Sequence, residues 1–288
     1  MGVITILAAQ PALLAVAAGL LGLIIGSFLN VVIYRLPIML EREWRTQCAE
    51  LLGQIPPQTP PVNLWLPRSY CPNCQHPIRA FENIPLLSYF LQGGRCTHCK
   101  APISLQYPLV EATSGVLTAL SAWHFGWSWQ APAALLLTWG LLTLSVIDLQ
   151  RQLLPDSITL PLLWLGLGLA LFGVFTDLRA SVIGAMSGYL SLWSVYWVFR
   201  LFTGREGMGQ GDFKLLAMLG AWQGWQYLPA MVIISAGVGS VLGSALILLR
   251  RRERSAPLPF GPFLAAAGWI TLLWGEPLNQ AYLHWIEL

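Results

Sequence analysis

Apolar segments close to the length of a bilayer crossing recur along this chain, and short polar loops separate them. A helix needs about 20 apolar residues to cross the hydrocarbon core of a membrane. Of the 288 residues, 56% are hydrophobic and 10% are charged, whereas soluble domains carry roughly 25% charged residues. Because spanning segments must satisfy their own backbone hydrogen bonds, the pattern predicts a helical bundle in lipid and excludes a soluble fold.

Eight apolar segments are predicted to form membrane helices. The first lacks the basic flank and cleavage site of a secretory signal, so we interpret it as a retained anchor. The sixth is too short to cross a bilayer of about 30 Å at about 1.5 Å per residue. We therefore expect residues 209–212, which lead into its start, at or below the membrane surface. The segments lie at about 12–34, 106–124, 132–149, 158–175, 180–202, 212–222, 226–249 and 260–283.

The distribution of polar residues predicts three regions. A first helix (1–35) is followed by a proline-rich polar domain (36–105) and by the remaining membrane helices (106–288). Lys and Arg residues are retained on the cytoplasmic side of membranes. With eight helices, every Lys and Arg except Arg179 falls on the side of the polar domain. This domain is therefore predicted to be cytoplasmic, and the net charge of +3 gives no indication of nucleic-acid binding.

Small residues at four-residue intervals predict close contacts between helices. Gly22 and Gly26 precede Asn30 at this spacing, and Ser235 and Gly239 precede Gly243. Such positions allow two membrane helices to approach each other closely.

Four of the five cysteines form two C-x-x-C pairs in the polar domain. Cys71, Cys74, Cys96 and Cys99 have the spacing of a four-thiolate zinc site, and redox-active dithiols are the alternative. Four sulfurs leave no open position for a substrate, so the zinc ion would be structural. A domain with so little core would depend on metal for its folding energy. Cys48 has no assigned role.

Two aspartates are the candidate catalytic residues. Asp148 ends one apolar helix, and Asp212 opens another after the sequence Gly209-Gln-Gly211. A carboxylate near lipid is unfavourable unless it pairs, faces water or has a function. For either aspartate taken alone, a helix cap or a snorkelling surface charge is the alternative explanation. Peptide hydrolysis by two carboxylates requires them to share one proton, so that the ionised one activates water and the protonated one donates to the carbonyl group. Gly209 and Gly211 would let an extended substrate lie against the backbone.

Two further charged residues flank this candidate pair. Lys214 is a candidate substrate-positioning residue, but an anchor at the cytoplasmic membrane edge is the commoner explanation. Asp156 follows Pro155 and is interpreted as a helix N-cap.

Motifs in order across nearly the whole chain resemble the type IV prepilin peptidases, bifunctional bacterial enzymes that also process type II secretion pseudopilins. The resemblance implies that Asp148 and Asp212 are catalytic. It implies cleavage of a short basic leader, usually after a glycine, at the cytoplasmic face of the inner membrane, leaving the following hydrophobic helix in the bilayer. The matching stretches are 26–37 (GSFLNVVIYRLP), the two C-x-x-C pairs, 103–111 (ISLQYPLVE), 147–156 (IDLQRQLLPD) and 209–214 (GQGDFK).

The resemblance also implies a second activity, methylation of the new N-terminal residue with S-adenosylmethionine. The chain has no glycine-rich nucleotide motif of the soluble methyltransferase kind. Glu111 is the candidate contact for this cofactor or for the substrate amine. A carboxylate favoured by the dipole at a helix start is the alternative explanation for Glu111.

Two other functions compete with this interpretation. A transporter or channel with a zinc-stabilised regulatory domain would use the aspartates to bind or relay cations, but such proteins often show internal repeats and charges at the membrane midplane. A presenilin-type protease shares the G-x-G-D aspartate but lacks the cysteine domain. We therefore expect an all-α polytopic membrane protein of about eight helices, with a small cytoplasmic zinc-binding domain between the first and second helices, that acts on prepilins or pseudopilins.

Overall fold

The computed structural model describes residues 10–55, 62–205, 207–248 and 259–286. Regular structure in these ranges is helical except for two isolated β-bridges in the cysteine-containing region, so the all-α prediction is confirmed. Short 3₁₀ helices lie at Ala80–Asn83 and Trp225–Tyr227. The α-helices in the same ranges are α1 (Pro11–Leu51), α2 (Leu87–Leu91), α3 (Gln106–Phe125), α4 (Gln130–Arg151), α5 (Asp156–Ala170), α6 (Leu178–Thr203), α7 (Gln210–Gln223), α8 (Leu228–Leu248) and α9 (Gly261–Ile286).

Four helical segments in the described part of the chain are long and apolar enough to cross a membrane. They are α1, α4, α6 and the segment Trp225–Ala245, which contains most of α8. Each of the eight predicted segments overlaps one of the helices α1 and α3–α9, but the count of about eight spans is not confirmed. The charge-bias argument for sidedness also uses Arg250, Arg251, Arg252 and Arg254, which lie outside the described residues.

The chain divides into two compact units, residues 1–131 and 132–288. In the first unit, α1 packs along α3, whereas the sequence analysis placed α3 with the later membrane helices. Helix α1 also continues without a break through the predicted boundary at residue 35. A polar sequence ends an apolar segment but does not end a helix, because Glu, Arg and Gln are good helix formers.

Glycines on α1 bring it close to α3. A Cβ atom added to Gly22 would lie 2.6 Å from Oγ1 of Thr118, and one added to Gly26 would lie 2.8 Å from Cα of Glu111. The hydroxyl group of Ser114 donates a hydrogen bond to the carbonyl oxygen of Gly22 at 2.6 Å. The predicted close contact at Gly22 and Gly26 is therefore confirmed.

Gly22→Ala is expected to destabilise the first unit by about 1–3 kcal/mol, because overpacking forces the two helices apart. The measurement is thermal unfolding of the purified protein in lipid nanodiscs. Gly168→Ala is the matched control, since a Cβ atom at Gly168 in α5 would meet nothing within 4 Å. Equal unfolding temperatures for the two variants would show that the contact at Gly22 adapts without strain.

In the second unit, α7 is surrounded by other helices. From Asp212 to Gln223, every residue of α7 except Lys214 is buried. The side chain of Trp222 donates to the carbonyl oxygen of Leu162 in α5 at 2.7 Å, and that of Gln223 donates to Gly268 in α9 at 2.9 Å. Helix α7 has only 14 residues, so this packing places its first turn in a recess lined by protein.

Paired glycines allow α6 and α7 to touch through their backbones. A Cβ atom on Gly184 or on Gly220 would overlap the carbonyl group of the other, and one on Gly188 would lie 2.7 Å from the carbonyl oxygen of Leu216. Close packing of this kind fixes the position of a helix tightly. The position of Asp212 in the first turn of α7 is fixed with it.

Candidate active site and metal centre

Asp148 and Asp212 lie at facing helix ends in the second unit. Asp148 is in the last turn of α4, Asp212 is in the first turn of α7, and each residue is only 6% exposed. The two carboxyl groups are close enough to interact electrostatically. The side chain of Leu154 lies beside both Gly211 and Gly261, since an added Cβ atom would lie 2.8 Å from it at Gly211 and 3.2 Å from it at Gly261. The structure thus gathers both aspartates in one buried site, where the charge of Asp148 acts on Asp212.

The N-terminus of α9 completes this site. The backbone N–H of Gly261, the first residue of α9, donates a hydrogen bond to Oδ2 of Asp148 at 3.1 Å. The first N–H groups of a helix have no partner within the helix, and their partial positive charge favours an anion. A Cβ atom at Gly261 would lie 2.6 Å from the same oxygen. Only glycine therefore allows the start of α9 to approach Asp148 this closely.

Sequence reasoning missed Gly261. The available signal was the pair Gly261-Pro262 at the start of the last apolar segment, because proline is favoured in the first turn of a helix. That signal predicts where α9 begins. It does not predict that this helix start contacts an aspartate 113 positions earlier in the chain.

The glycines before Asp212 contribute space. Gly209 precedes α7 with φ −78° and ψ 147°, an extended conformation that any residue can adopt. A Cβ atom at Gly209 would lie 3.8 Å from Oδ2 of Asp212, and one at Gly211 would lie 2.8 Å from the side chain of Leu154. Gly211 is therefore needed for packing, whereas a Cβ atom at Gly209 would only make an ordinary contact with Asp212, whose carboxylate accepts a hydrogen bond from the backbone N–H of Gly209.

Lys214 and Asp156 bind each other. The ammonium group of Lys214 lies 2.8 and 2.6 Å from the two carboxylate oxygens of Asp156. Asp156 is the first residue of α5, and Pro155 occupies the N-cap position, so the N-cap interpretation of Asp156 is wrong. Because both side chains are partly exposed, the ion pair contributes at most about 1 kcal/mol. The pair joins the starts of α5 and α7 beside the two buried aspartates.

The four paired cysteines converge in the first unit. Their sulfur atoms all lie within 4.8 Å of one another. Sγ of Cys71 is 3.8 Å from that of Cys99, and Sγ of Cys74 is 4.0 Å from that of Cys96. Both of these contacts join a sulfur of one pair to a sulfur of the other, whereas a redox dithiol needs only the two sulfurs of one pair. The cluster can hold a metal ion.

Hydrogen-bond donors surround these sulfurs. The amide group of Asn73 donates a hydrogen bond to Sγ of Cys99 at 3.5 Å. This hydrogen bond, together with a second one from the backbone N–H of Ala101, lowers the pKa of Cys99 to about 6. The backbone N–H of His76 lowers the pKa of Cys74, but partial burial and the neighbouring thiols together raise it to about 12. Some of the thiols thus become thiolates more readily than others. A bound cation would stabilise all four as thiolates.

Glu111 is buried in α3, at 8% exposure. It is the sixth residue of this helix, and the first turn holds no acidic residue, so the helix-start explanation of Glu111 is wrong. Its Oε2 atom accepts a hydrogen bond from the backbone N–H of Leu86 at 2.8 Å, and the hydroxyl group of Ser27 donates to the same carboxylate.

The helical fold, the apolar spans and the buried aspartate pair define a membrane protein of the intramembrane aspartic peptidase class. Residues 20–125 match the Bacterial Peptidase A24 N-terminal domain, and residues 135–244 match the Type IV leader peptidase family. The chain belongs to the type IV leader peptidase family.

Curated relatives support this assignment over the whole chain. Proteins named prepilin leader peptidase/N-methyltransferase are 56% identical in Stutzerimonas stutzeri, covering 98% of each chain, and 56% identical in Pseudomonas aeruginosa, covering 96% of each chain. The protein of that name in Aeromonas hydrophila is 57% identical over 92% of each chain. No solved structure matches the chain.

Proposed function

We propose that this protein removes the leader peptide from type IV prepilins or type II secretion pseudopilins and N-methylates the new N-terminal residue. Family membership and the names of its relatives support both activities. The observation that carries the peptidase activity is the burial of Asp148 and Asp212 in one site. The position of both acids at helix ends also argues against the transporter alternative, because transporter charges often lie at the membrane midplane.

The catalytic step follows from two carboxylates that interact closely. Two adjacent carboxylates hold one proton between them because both cannot ionise side by side. We assign the ionised, water-activating role to Asp148, because the N-terminus of α9 favours negative charge there. Asp212 then donates its proton to the oxygen of the scissile carbonyl group. Gly209 leaves room for the substrate backbone beside Asp212, and Lys214 positions the substrate from the edge of the site.

The test is incubation of the purified protein in nanodiscs with a prepilin, followed by mass spectrometry of the product. We expect loss of the leader without any methyl donor. With S-adenosylmethionine present, we expect the product to gain the mass of one methyl group. Intact prepilin after prolonged incubation would refute the proposed function.

The metal in the cysteine cluster is proposed to be one structural zinc ion. Zinc–sulfur bonds of about 2.3 Å place the sulfurs of a tetrahedral site about 3.8 Å apart. The distances of 3.8 and 4.0 Å between sulfurs of different pairs fit this geometry. With four thiolates bound, zinc would have no position open to substrate, so its contribution is to fold the polar domain.

Cys96→Ser is expected to lose the zinc ion and, with it, methylation, because three thiolates hold zinc less tightly and the polar domain has little core of its own. Two quantities are measured: the zinc content of the purified protein, by elemental mass spectrometry, and the methylation of a pre-cut substrate. Cys48→Ser is the control, since Cys48 is exposed on α1 and lies outside the cluster. Full zinc occupancy in Cys96→Ser would contradict a four-thiolate site.

The methyl donor is proposed to be S-adenosylmethionine. When bound, it would supply an electrophilic methyl group on a positively charged sulfur. A buried carboxylate fits such a cation, and Glu111 would hold it or the amine that receives the methyl group. The Glu111 carboxylate is itself held by Leu86 and Ser27, so its position is fixed before any ligand binds.

The finer membrane arrangement is also a proposal. Eight spans with the cysteine domain in the cytoplasm would place that domain where prepilin leaders lie, at the inner membrane of a bacterium. The helix found at each predicted apolar segment supports this arrangement. The short, protein-enclosed α7 would then reach only part of the way across the bilayer.

A further inference from the structure

An exposed apolar groove runs along the first unit between α1 and α3. Small residues form its floor, and three exposed side chains, Val16, Leu20 and Val116, form its rims. Its span on α1, from Val16 to Leu23, corresponds to about 10 Å of helix. The full lining is Val16, Gly19, Leu20, Leu23, Leu86, Ala112, Gly115, Val116 and Ala119.

The floor of this groove is formed by small residues where α1 and α3 pack closely, since a Cβ atom at Gly115 would lie 2.7 Å from Cδ2 of Leu23. Gly19, Ala112, Gly115 and Ala119 carry no side chain longer than a methyl group. Small residues at such positions let a membrane helix lie close to its neighbours. The groove is apolar throughout, so its occupant must be apolar over about two helical turns.

One end of the groove adjoins a buried negative charge. Leu86 lines the groove, and its backbone N–H donates to Glu111, the residue that precedes Ala112 of the floor. Within the part of the chain that the structure describes, no Lys, Arg or His side chain forms an ion pair with Glu111. A buried carboxylate held only by neutral donors is unfavourable until a cation reaches it.

A strained turn fixes this end of the groove. Leu86 has φ 58° and ψ −49°, and the N–H of Leu87 donates to the carbonyl oxygen of Pro85 at 2.6 Å. These values describe a γ-turn with positive φ, a conformation that is rare and unfavourable for a residue with a side chain. The turn points the N–H of Leu86 at Glu111 and places the Leu86 side chain in the groove.

We propose that this groove binds the hydrophobic N-terminal helix of the cleaved pilin, with the new terminal ammonium group paired to Glu111. This inference rests on the proposed function, which creates a product with both parts: an apolar helix in the bilayer and a free amine at its end. The apolar groove matches the helix, and the carboxylate at its end matches the ammonium charge. Glu111 is then a positioning residue for the amine that is methylated.

The first test measures selectivity for a free amine. Two synthetic peptides with the mature pilin N-terminal sequence, one with a free and one with an acetylated N-terminus, compete for the zinc-loaded protein in nanodiscs against a fluorescent free-amine peptide. The wild type should prefer the free amine by about tenfold or more, as expected for a desolvated charge pair. Glu111→Gln keeps an acceptor for the Leu86 N–H and should lose this preference. Equal preference in Glu111→Gln and the wild type would overturn the role of Glu111.

The second test blocks the groove. Val116→Trp should weaken peptide binding by about tenfold, because the indole ring fills space that the helix needs. Leu120→Trp is the matched control: Leu120 is also exposed on α3, at 43% against 58% for Val116, but does not line the groove. Equal binding by the two variants would overturn the proposal and assign the groove to lipid or to another segment of this chain.

Leader removal from an intact prepilin distinguishes failure of this inference from failure of the proposed function. The control variant Leu120→Trp should retain leader removal, because Leu120 lies outside the groove and Asp148 and Asp212 are unchanged. If the wild type removes the leader but the selectivity and blocking tests fail, only this inference falls. If the wild type removes no leader, the proposed function itself falls.

Discussion

Asp148→Asn and Asp212→Asn are each expected to abolish leader removal, lowering the rate by a factor on the order of 10⁴, as seen when one member of a catalytic carboxylate or triad unit is lost. Asparagine keeps the shape of the side chain but can neither activate water nor hold the shared proton. Both residues are buried at 6% exposure, so solvent cannot supply a substitute base at the same position. The measurement is the time course of prepilin cleavage by mass spectrometry.

Two controls separate a chemical defect from a folding defect. Asp156→Asn removes a nearby carboxylate that is paired with Lys214 at the surface, and cleavage in this variant should stay within about twofold of wild type, since exposed ion pairs contribute little. Both catalytic variants should still methylate a pre-cut substrate. Normal cleavage by either Asp148→Asn or Asp212→Asn would remove that residue from the catalytic role.

Gly261→Ala is expected to lower kcat for leader removal by about 100-fold, the scale of effect that follows when a reacting group is displaced by about 1 Å. The added Cβ atom would lie 2.6 Å from Oδ2 of Asp148, so either the carboxylate or the start of α9 must move. Substrate binding does not require this contact, and KM should change little. The measurement is steady-state cleavage of a prepilin over a range of substrate concentrations.

The matched control for this variant is Gly237→Ala. Gly237 lies in α8, and a Cβ atom there would meet nothing within 4 Å. Its cleavage rate should equal that of the wild type. If Gly261→Ala cleaved as fast as Gly237→Ala, the contact between Gly261 and Asp148 would have no part in catalysis.

Local patterns in the sequence predicted much of the fold. Runs of apolar residues predicted a helix at every assigned segment, because helix formation in lipid depends on the chemistry of each segment alone. The spacing of Gly22 and Gly26 predicted a close helix contact at these positions, although not its partner, and the C-x-x-C pairs predicted the convergence of four sulfurs. These features are short-range or follow a fixed repeat.

Features that depend on distant parts of the chain were not predictable in the same way. The contact between Gly261 and Asp148 joins residues 113 positions apart, and that between Lys214 and Asp156 joins residues 58 apart. No local pattern encodes which helix ends meet. For the same reason, Asp156 was interpreted as a cap from its local sequence, although its carboxylate binds a lysine on another helix.

Apolar patterning also does not predict the full length of a helix. Apolar patterning ended the first helix near residue 34, but α1 continues to Leu51. The patterning marks where a helix leaves lipid, whereas the helix itself ends where capping and packing favour another conformation.

Proximity of Asp148 and Asp212 is the central claim, and thiol cross-linking tests it most directly. In a Cys48→Ser background with zinc bound, Asp148→Cys and Asp212→Cys are combined and treated with a fluorogenic reagent that joins two thiols only a few ångströms apart. We expect the double variant to form one cross-linked product that joins α4 to α7, and neither single variant to do so. Reaction of each single cysteine without any cross-link in the double variant would contradict a shared proton and the proposed mechanism of peptide cleavage.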